Sequence, residues 1–185
     1  MRAFVVLLAV LAAAILPLSA SAAELAASSA VNSTLTTSTH CATPWGSLPE
    51  GDLSLAGGGI LDVRAGRHAC FDRLVIEVAG PAGGWRAGYV GQVTADGSGA
   101  VVPVAGGARL QLVVGHPGYD LGPVGAQLVG VAGFDTLRGV VDAGSFEGQT
   151  TIGVGVRARL PFRVFALAGP GGHSRIVLDV AHRWS

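Results

Sequence analysis

Two short stretches decide the fold: Arg73-Leu74-Val75-Ile76-Glu77-Val78 and Arg175-Ile176-Val177-Leu178-Asp179-Val180. Each reads arginine, aliphatic, valine, aliphatic, carboxylate, valine. Alternate side chains of a β-strand point to opposite faces, so each stretch predicts a strand with one aliphatic face and one face that carries the arginine and the acid. Because the stretches lie far apart in the chain, we expect them to open and close a β-sandwich as equivalent edges.

Around these stretches, glycine and proline recur every few residues, the apolar runs stay short and no convincing helical stripe is present. This pattern predicts an all-β chain, folded as a single β-sandwich domain of about eight or nine strands. A weak helical turn is predicted near Phe134 to Arg138. The predicted strands are Ile60 to Val63, Cys70 to Val78, Trp85 to Val93, Ala108 to Val114, Ala126 to Phe134, Val140 to Gly144, Thr151 to Leu160, Phe162 to Leu167 and Arg175 to Ala181.

The N-terminal part of the chain predicts export. Arg2 precedes an unbroken apolar run and the small residues Ala20-Ser21-Ala22, as in a secretory signal peptide over residues 1–22. The run is too short for a good membrane span, so no transmembrane segment is expected after cleavage. Residues 23–40 are mostly small or hydroxylated and bury too little apolar area to order a backbone, which predicts a flexible tether. The predicted sandwich domain spans 41–185.

The charge and the cysteine content argue against two kinds of function, nucleic-acid binding and metal binding. The formal net charge is zero, whereas nucleic-acid binding needs a concentrated basic surface, so no nucleic-acid partner is expected. Cys41 and Cys70, an even pair in a chain with an export signal, predict a disulfide. The alternatives are a reactive thiol and a metal pair, but two ligands without a nearby His/Cys cluster argue against metal binding. No metal and no other cofactor is expected.

Candidate catalytic residues are few. Ser145 directly follows a glycine and lacks the Gly-x-Ser-x-Gly spacing of a hydrolase nucleophile. The five histidines are scattered, without a spacing that could hold zinc. Carboxylates such as Asp62 and Asp72 could form the acid pair of a glycosidase, but arginines lie beside them in sequence, which favours cross-strand arginine–carboxylate pairs. We therefore predict no catalytic residue and no enzyme activity.

Three segments, residues 61–75, 144–153 and 156–165, are similar to an AMIN-like domain of secreted proteins from high-GC Gram-positive bacteria. The resemblance extends over about residues 53–184. It implies a β-sandwich and a non-catalytic module, because the related AMIN domain targets cell-wall amidases and secretion or pilus proteins to peptidoglycan or the division site. The protein is therefore expected to be secreted or cell wall associated.

The candidate ligand-binding residues are Arg157, Arg159, Arg163, Glu147 and Gln149. On one continuous strand Arg157 and Arg159 would share the outward face, and the proline that follows could turn Arg163 toward the same side. Glu147 and Gln149 lie in the preceding loop. Guanidinium groups bind carboxylates and phosphates, which cell-wall peptides and teichoic acids offer. A solvated strand face is the alternative interpretation.

Two functions remain open. The first is an exported, non-enzymatic cell-envelope protein that binds peptidoglycan or another cell-wall component. The second is a structural or inhibitory module that pairs an exposed strand edge with another chain. The expected partner is accordingly a cell-wall polymer or an envelope protein.

Overall fold

A computed structural model describes residues 41–185. The predicted signal peptide, 1–22, and the predicted tether, 23–40, lie outside the described residues. Residues 41–185 contain ten strands and one short 3-10 turn, Pro170–Gly172, which confirms the predicted all-β class. The strands are β1 (Ile60–Arg67), β2 (Phe71–Ala79), β3 (Trp85–Val90), β4 (Val93–Thr94), β5 (Val101–Val102), β6 (Ala108–Val114), β7 (Leu137–Phe146), β8 (Gln149–Val156), β9 (Phe162–Ala168) and β10 (His173–Ala181).

The two stretches with the shared pattern lie side by side. They belong to β2 and β10, the central strands of an antiparallel sheet with the order β1-β2-β10-β9. The expectation that they form equivalent edges is therefore wrong. Antiparallel pairing places Arg73 opposite Asp179 and Arg175 opposite Glu77. When two strands with this pattern run antiparallel, the arginine of each strand lies opposite the acid of the other, so the pattern favours their pairing.

A second sheet, with the order β3-β6-β8-β7, packs against the first. The aliphatic faces of β2 and β10 point toward it, and Leu74, Ile76, Ile176 and Leu178 are fully buried, as the alternation predicts. The second sheet contributes to the same core Leu110, Leu112, Val140, Ile152 and Val154. Removing these side chains from water is the main favourable contribution to folding.

The outer face of the second sheet is partly covered by a separate hairpin of β4 and β5 and by the segment that follows it. The alternation of β8 points Gly153 and Gly155 outward. A Cβ atom at Gly155 would lie 1.7 Å from the carbonyl oxygen of Ala105, so glycine is required where this segment crosses the sheet. The small second core beneath the hairpin includes Val93, Val102, Val104, Val141 and Ala143.

The predicted strand Ala126 to Phe134 is wrong, since the structure has a loop there. Only one isolated bridge is present in this segment, between Gln127 and Val141 on β7. The backbone N–H of Leu128 also donates to the carbonyl oxygen of Val140 at 2.8 Å. The loop therefore follows the edge of β7 and covers it without extending the sheet as a regular strand.

The predicted helical turn at Phe134 to Arg138 is also wrong. The carboxylate of the buried Asp72 accepts the backbone N–H groups of Thr136 and Leu137 at 2.6 and 3.0 Å. These hydrogen bonds hold the extended start of β7, because both N–H groups donate to Asp72 on β2 of the other sheet and not to the carbonyl groups of a helical turn.

Residues 41–59 form an N-terminal arm that ties the two sheets together. A disulfide joins Cys41 to Cys70, as predicted. Further along the arm, the backbone of Glu50 pairs with Ala87 on β3, and its carboxylate accepts the backbone N–H of Val164 on β9. Burial raises the pKa of Glu50. The arm therefore covers part of one edge of each sheet.

The disulfide is expected to stabilise the domain. The double variant Cys41→Ser, Cys70→Ser should lose about 2–4 kcal/mol of unfolding free energy, because the bridge closes a loop across a separation of 29 residues and restricts the unfolded chain. Urea unfolding of the variant, beside the oxidised and the reduced wild type, measures the loss. Equal stability of all three proteins would show that the bridge does not constrain the unfolded state.

Candidate functional site

The predicted strand Thr151 to Leu160 ends early, and this changes the geometry of its arginines. β8 stops at Val156, where its pairing with both β6 and β7 ends. Arg157 and Arg159 lie in the link to β9, and both are exposed. The expectation of one continuous strand face for these two residues is therefore wrong.

Long-range contacts hold both arginines of the link. Arg157 donates to the backbone carbonyl of His182, which follows β10. Arg159 donates to the carbonyl and hydroxyl oxygens of Ser47 at 2.7 and 3.1 Å, and its guanidinium lies 4.9 Å from the ring centroid of Tyr89. The C-terminal tail and the N-terminal arm thus position the two guanidinium groups.

Arg163 lies on β9 beside a fully buried carboxylate, that of Asp179. Its Nε and Nη2 atoms donate to Asp179 Oδ2 at 3.0 and 2.9 Å, while Arg73 donates to both carboxylate oxygens at 2.6 and 2.9 Å. The hydrogen bond to Asp179 raises the pKa of Arg73 above its usual value. The guanidinium of Arg163 also lies 4.4 Å from a ring centroid of Trp45 in the arm. The two arginines therefore compensate one buried negative charge.

Aromatic rings surround these cations on the outer face of the first sheet. Trp45 contacts Phe71 edge to face with ring centroids 5.6 Å apart, and Arg73 lies 5.1 Å from the centroid of Phe71. The ring centroid of Phe165 lies 5.6 Å from Arg73 and 4.9 Å from Arg163. Sequence reasoning missed these aromatics. The available signal is that Phe71 and Phe165 each lie two residues from an arginine, on the same strand face.

Glu147 and Gln149 lie far from the three arginines. Glu147 lies in the turn from β7 into β8, whereas Gln149 is the first residue of β8, so its predicted place in the loop is wrong. Both lie at the opposite end of β8 from Arg157, and the eight residues of this strand span about 26 Å. Glu147 is exposed with a φ of 51°, and Gln149 donates to the carboxylate of Asp96 at 3.0 Å. The structure does not bring these two residues together with the arginines.

Charge is unevenly distributed along the sandwich. At the end where β8 stops and β2 begins, which we call the basic end, lie Arg67, Arg73, Arg109, Arg138, Arg157, Arg159, Arg163 and Arg183. Within residues 41–185 the acids at this end are fewer, namely Asp72, Asp135 and Asp179, so positive side chains outnumber negative ones there. Around the opposite end, where β7 turns into β8, lie Asp52, Asp96, Asp120 and Glu147. The net charge of the chain is zero, but the basic end is locally positive and can attract anions.

One cluster among residues 41–185 brings potential metal ligands together. Donor atoms of Asp72, Asp135 and His182 lie within 4.8 Å of one another. The carboxylate of Asp72 already accepts the N–H groups of Thr136 and Leu137, and its other oxygen lies 3.1 Å from His182 Nε2. These hydrogen bonds give the cluster a structural role: it holds the start of β7 in place.

A comparison with models of protein families matches residues 58–182 to the AMIN-like domain. The chain belongs to the AMIN-like family. A search of the curated proteins found no match to it. All ten strands of this AMIN-like domain lie within the match, whereas the part of the arm that carries Cys41, Trp45 and Ser47 precedes it. Ser47, which binds Arg159, and Trp45, which contacts Arg163, thus lie outside the matched region.

The AMIN-like assignment suggests a role associated with the cell wall. The Cys41–Cys70 disulfide is consistent with an oxidising compartment outside the cytoplasm. Within residues 41–185, no helix has the length and apolar character needed to cross a membrane.

Proposed function

We propose that this AMIN-like chain is an exported, non-enzymatic protein of the cell envelope, secreted or cell wall associated, that binds peptidoglycan or another cell-wall polymer. Arg157, Arg159 and Arg163 form the binding surface, which we call the arginine surface. The observation that carries the proposal is the gathering of these guanidinium groups at the basic end. The exposed Trp184, whose indole N–H donates to the carbonyl of Arg159 at 3.1 Å, adds an aromatic ring beside them.

Each of these arginines retains donors for a ligand. Arg157 uses Nη2 in its hydrogen bond to the protein, and Arg159 and Arg163 each use Nε and Nη2. The Nη1 atoms of all three make no hydrogen bond within residues 41–185. Guanidinium groups form charge-assisted hydrogen bonds with carboxylates and phosphates. A polymer that repeats such anions can engage several arginines at once.

The double variant Arg157→Gln, Arg159→Gln is expected to bind purified cell wall at least about tenfold more weakly at low salt, because each charge-assisted contact contributes about 1.5–3 kcal/mol before screening. Cosedimentation with cell wall at low and high salt measures this. Arg163 is tested separately by Arg163→Lys, which keeps a positive charge near Asp179 but loses the planar guanidinium.

The matched control is the double variant Arg86→Gln, Arg175→Gln, which also removes two positive charges but at positions outside the basic end. This variant should sediment with cell wall like the wild type. Equal, salt-insensitive sedimentation of both double variants and the wild type would reject the arginine surface. Release of soluble glycan or peptide fragments from the cell wall would contradict the non-enzymatic part of the proposal.

The open part of β9 favours a second candidate, a structural or inhibitory module that pairs a strand edge with an envelope protein. The arm covers this edge at Phe162 and Val164, whereas Ala166, Leu167 and Ala168 are exposed. An uncovered, uncharged edge can accept a strand from another chain. No sedimentation of the wild type with cell wall, together with capture of an envelope protein that Ala166→Pro abolishes, would favour this module over polymer binding.

A further inference from the structure

A groove of about 760 Å³ lies on the outer face of the second sheet, between the β4–β5 hairpin and the loop that precedes β7. It shares no lining residue with the arginine surface. Its volume is in the usual range for ligand sites. Small apolar side chains such as Val101, Pro103 and Val141 form much of its wall, and the amides of Gln92 and Gln127 also line it.

Arg109 is the charged residue of this groove. It lies on β6 next to the fully buried Leu110, so its side chain points to the outer face of the sheet. Arg109 is half-buried, and within residues 41–185 it makes no hydrogen bond, ion pair or ring contact. Arg64, Arg73 and Arg163, by contrast, each bind a carboxylate. A partly desolvated cation without an anion is unfavourable, and an anionic ligand would relieve that cost.

Among residues 41–185, Arg109 is the one charged side chain that lines the groove, so the groove favours a ligand group with a single negative charge. All the other lining residues of the groove are glycine, alanine, valine, proline or glutamine. A phosphate monoester carries a charge of about −1.5 to −2, which one guanidinium leaves partly uncompensated. A carboxylate matches one guanidinium both in charge and in its two parallel acceptor oxygens.

The rest of the groove fits a short peptide chain. Its valine and proline side chains can contact small apolar groups, while glutamine amides can hydrogen bond to peptide groups. Gln127 Nε2 already donates to the carbonyl of Val129 at 2.8 Å, which leaves its Oε1 atom as the acceptor for a ligand. A second groove of about 450 Å³ shares Gln127 and continues past Phe134. A chain anchored at Arg109 therefore has room to extend across the sheet.

Arg109 lies at one side of the groove, so a ligand bound to it extends in one direction only. A peptide held by its terminal carboxylate does the same. Arg109 lies on β6, toward one side of the sheet, whereas Gln127 bridges to β7 at the other side. We infer that the groove binds a short peptide with a free C-terminal carboxylate and small apolar side chains, with Arg109 as the anion anchor. This inference does not depend on polymer binding at the arginine surface.

The probes are trialanine and trialanine amide, which differ only in the C-terminal group, a carboxylate in the first and a neutral amide in the second. Titration of the isotope-labelled, oxidised protein, followed by NMR, should shift the backbone amides of Val101, Val102 and Gln127 with the free acid. The amide should bind at least about tenfold more weakly, because it lacks the charge-assisted hydrogen bonds to the guanidinium. Equal affinities, or shifts that avoid the groove, would overturn the inference.

Variants of the anchor complete the test. Arg109→Gln should lose at least about tenfold in affinity for trialanine, and Arg109→Lys should retain part of the binding because it keeps the charge. Arg86→Gln is the matched control, since Arg86 on neighbouring β3 also has no partner within residues 41–185 but does not line this groove. Unchanged binding by Arg109→Gln would overturn the inference. Arg157→Gln, Arg159→Gln should bind trialanine normally, which separates this site from the arginine surface.

Discussion

Replacing Leu178 by alanine is expected to lower the free energy of unfolding by about 3–5 kcal/mol. Leu178 is fully buried on β10, at the centre of the first sheet. It lies opposite Leu74 on β2 and Val164 on β9, so the shortened side chain leaves a cavity between well-packed neighbours. Urea unfolding followed by circular dichroism measures the change.

Leu167→Ala on β9 is the matched control for this substitution. Leu167 is 39% exposed and should lose less than about 1 kcal/mol when it is truncated. An equally small loss for Leu178→Ala would contradict the register of β10, because Leu178 would then not face the core.

The double variant Arg73→Ala, Arg163→Ala is expected to lose about 3–5 kcal/mol of unfolding free energy. Both arginines bind the carboxylate of Asp179, which is 0% exposed, so their removal leaves a buried charge without a counterion. Each single variant should lose less, since the remaining arginine still compensates the carboxylate. Urea unfolding of the two single variants and the double variant gives the coupling between the arginines.

A third substitution identifies the cause of this loss. Adding Asp179→Asn to the double variant should restore part of the stability, because a neutral amide is less costly to bury than a carboxylate. The control pair Arg64→Ala, Arg175→Ala removes two arginines from the same sheet, but the Glu77 partner of Arg64 is partly exposed, so the loss should be about 1 kcal/mol or less. Equal losses for the two double variants would show that Asp179 burial is not the cause.

Strand predictions succeeded where local alternation coincided with regular pairing. β6 has the predicted bounds, Ala108 to Val114, because alternate residues of this segment reach the core. The loop at Ala126 to Phe134 has a similarly apolar composition, but its backbone follows the edge of β7 while side chains such as Leu128 and Phe134 pack against the core. A local pattern cannot distinguish a strand from a segment that covers one, since both bury apolar side chains.

The candidate site was predictable only in part. The sequence showed that Arg157, Arg159 and Arg163 lie close together along the chain, and they gather at one end of the sandwich. Glu147 and Gln149 are also close in sequence, yet the length of β8 separates them from the arginines. Residues that are only eight positions apart in the sequence can be far apart in space when an extended strand lies between them, because each residue adds about 3.3 Å.

The sequence by itself determined the all-β class, the buried faces of β2 and β10, and the pairing of Cys41 with Cys70. These properties depend on composition, on the two-residue period of a strand and on the presence of two cysteines in the chain. Only the tertiary structure decided that β2 and β10 are neighbours, that two arginines share the buried Asp179, and that Arg109 has no partner within residues 41–185. Strand order and contacts between distant segments produce these features, and no local period encodes them.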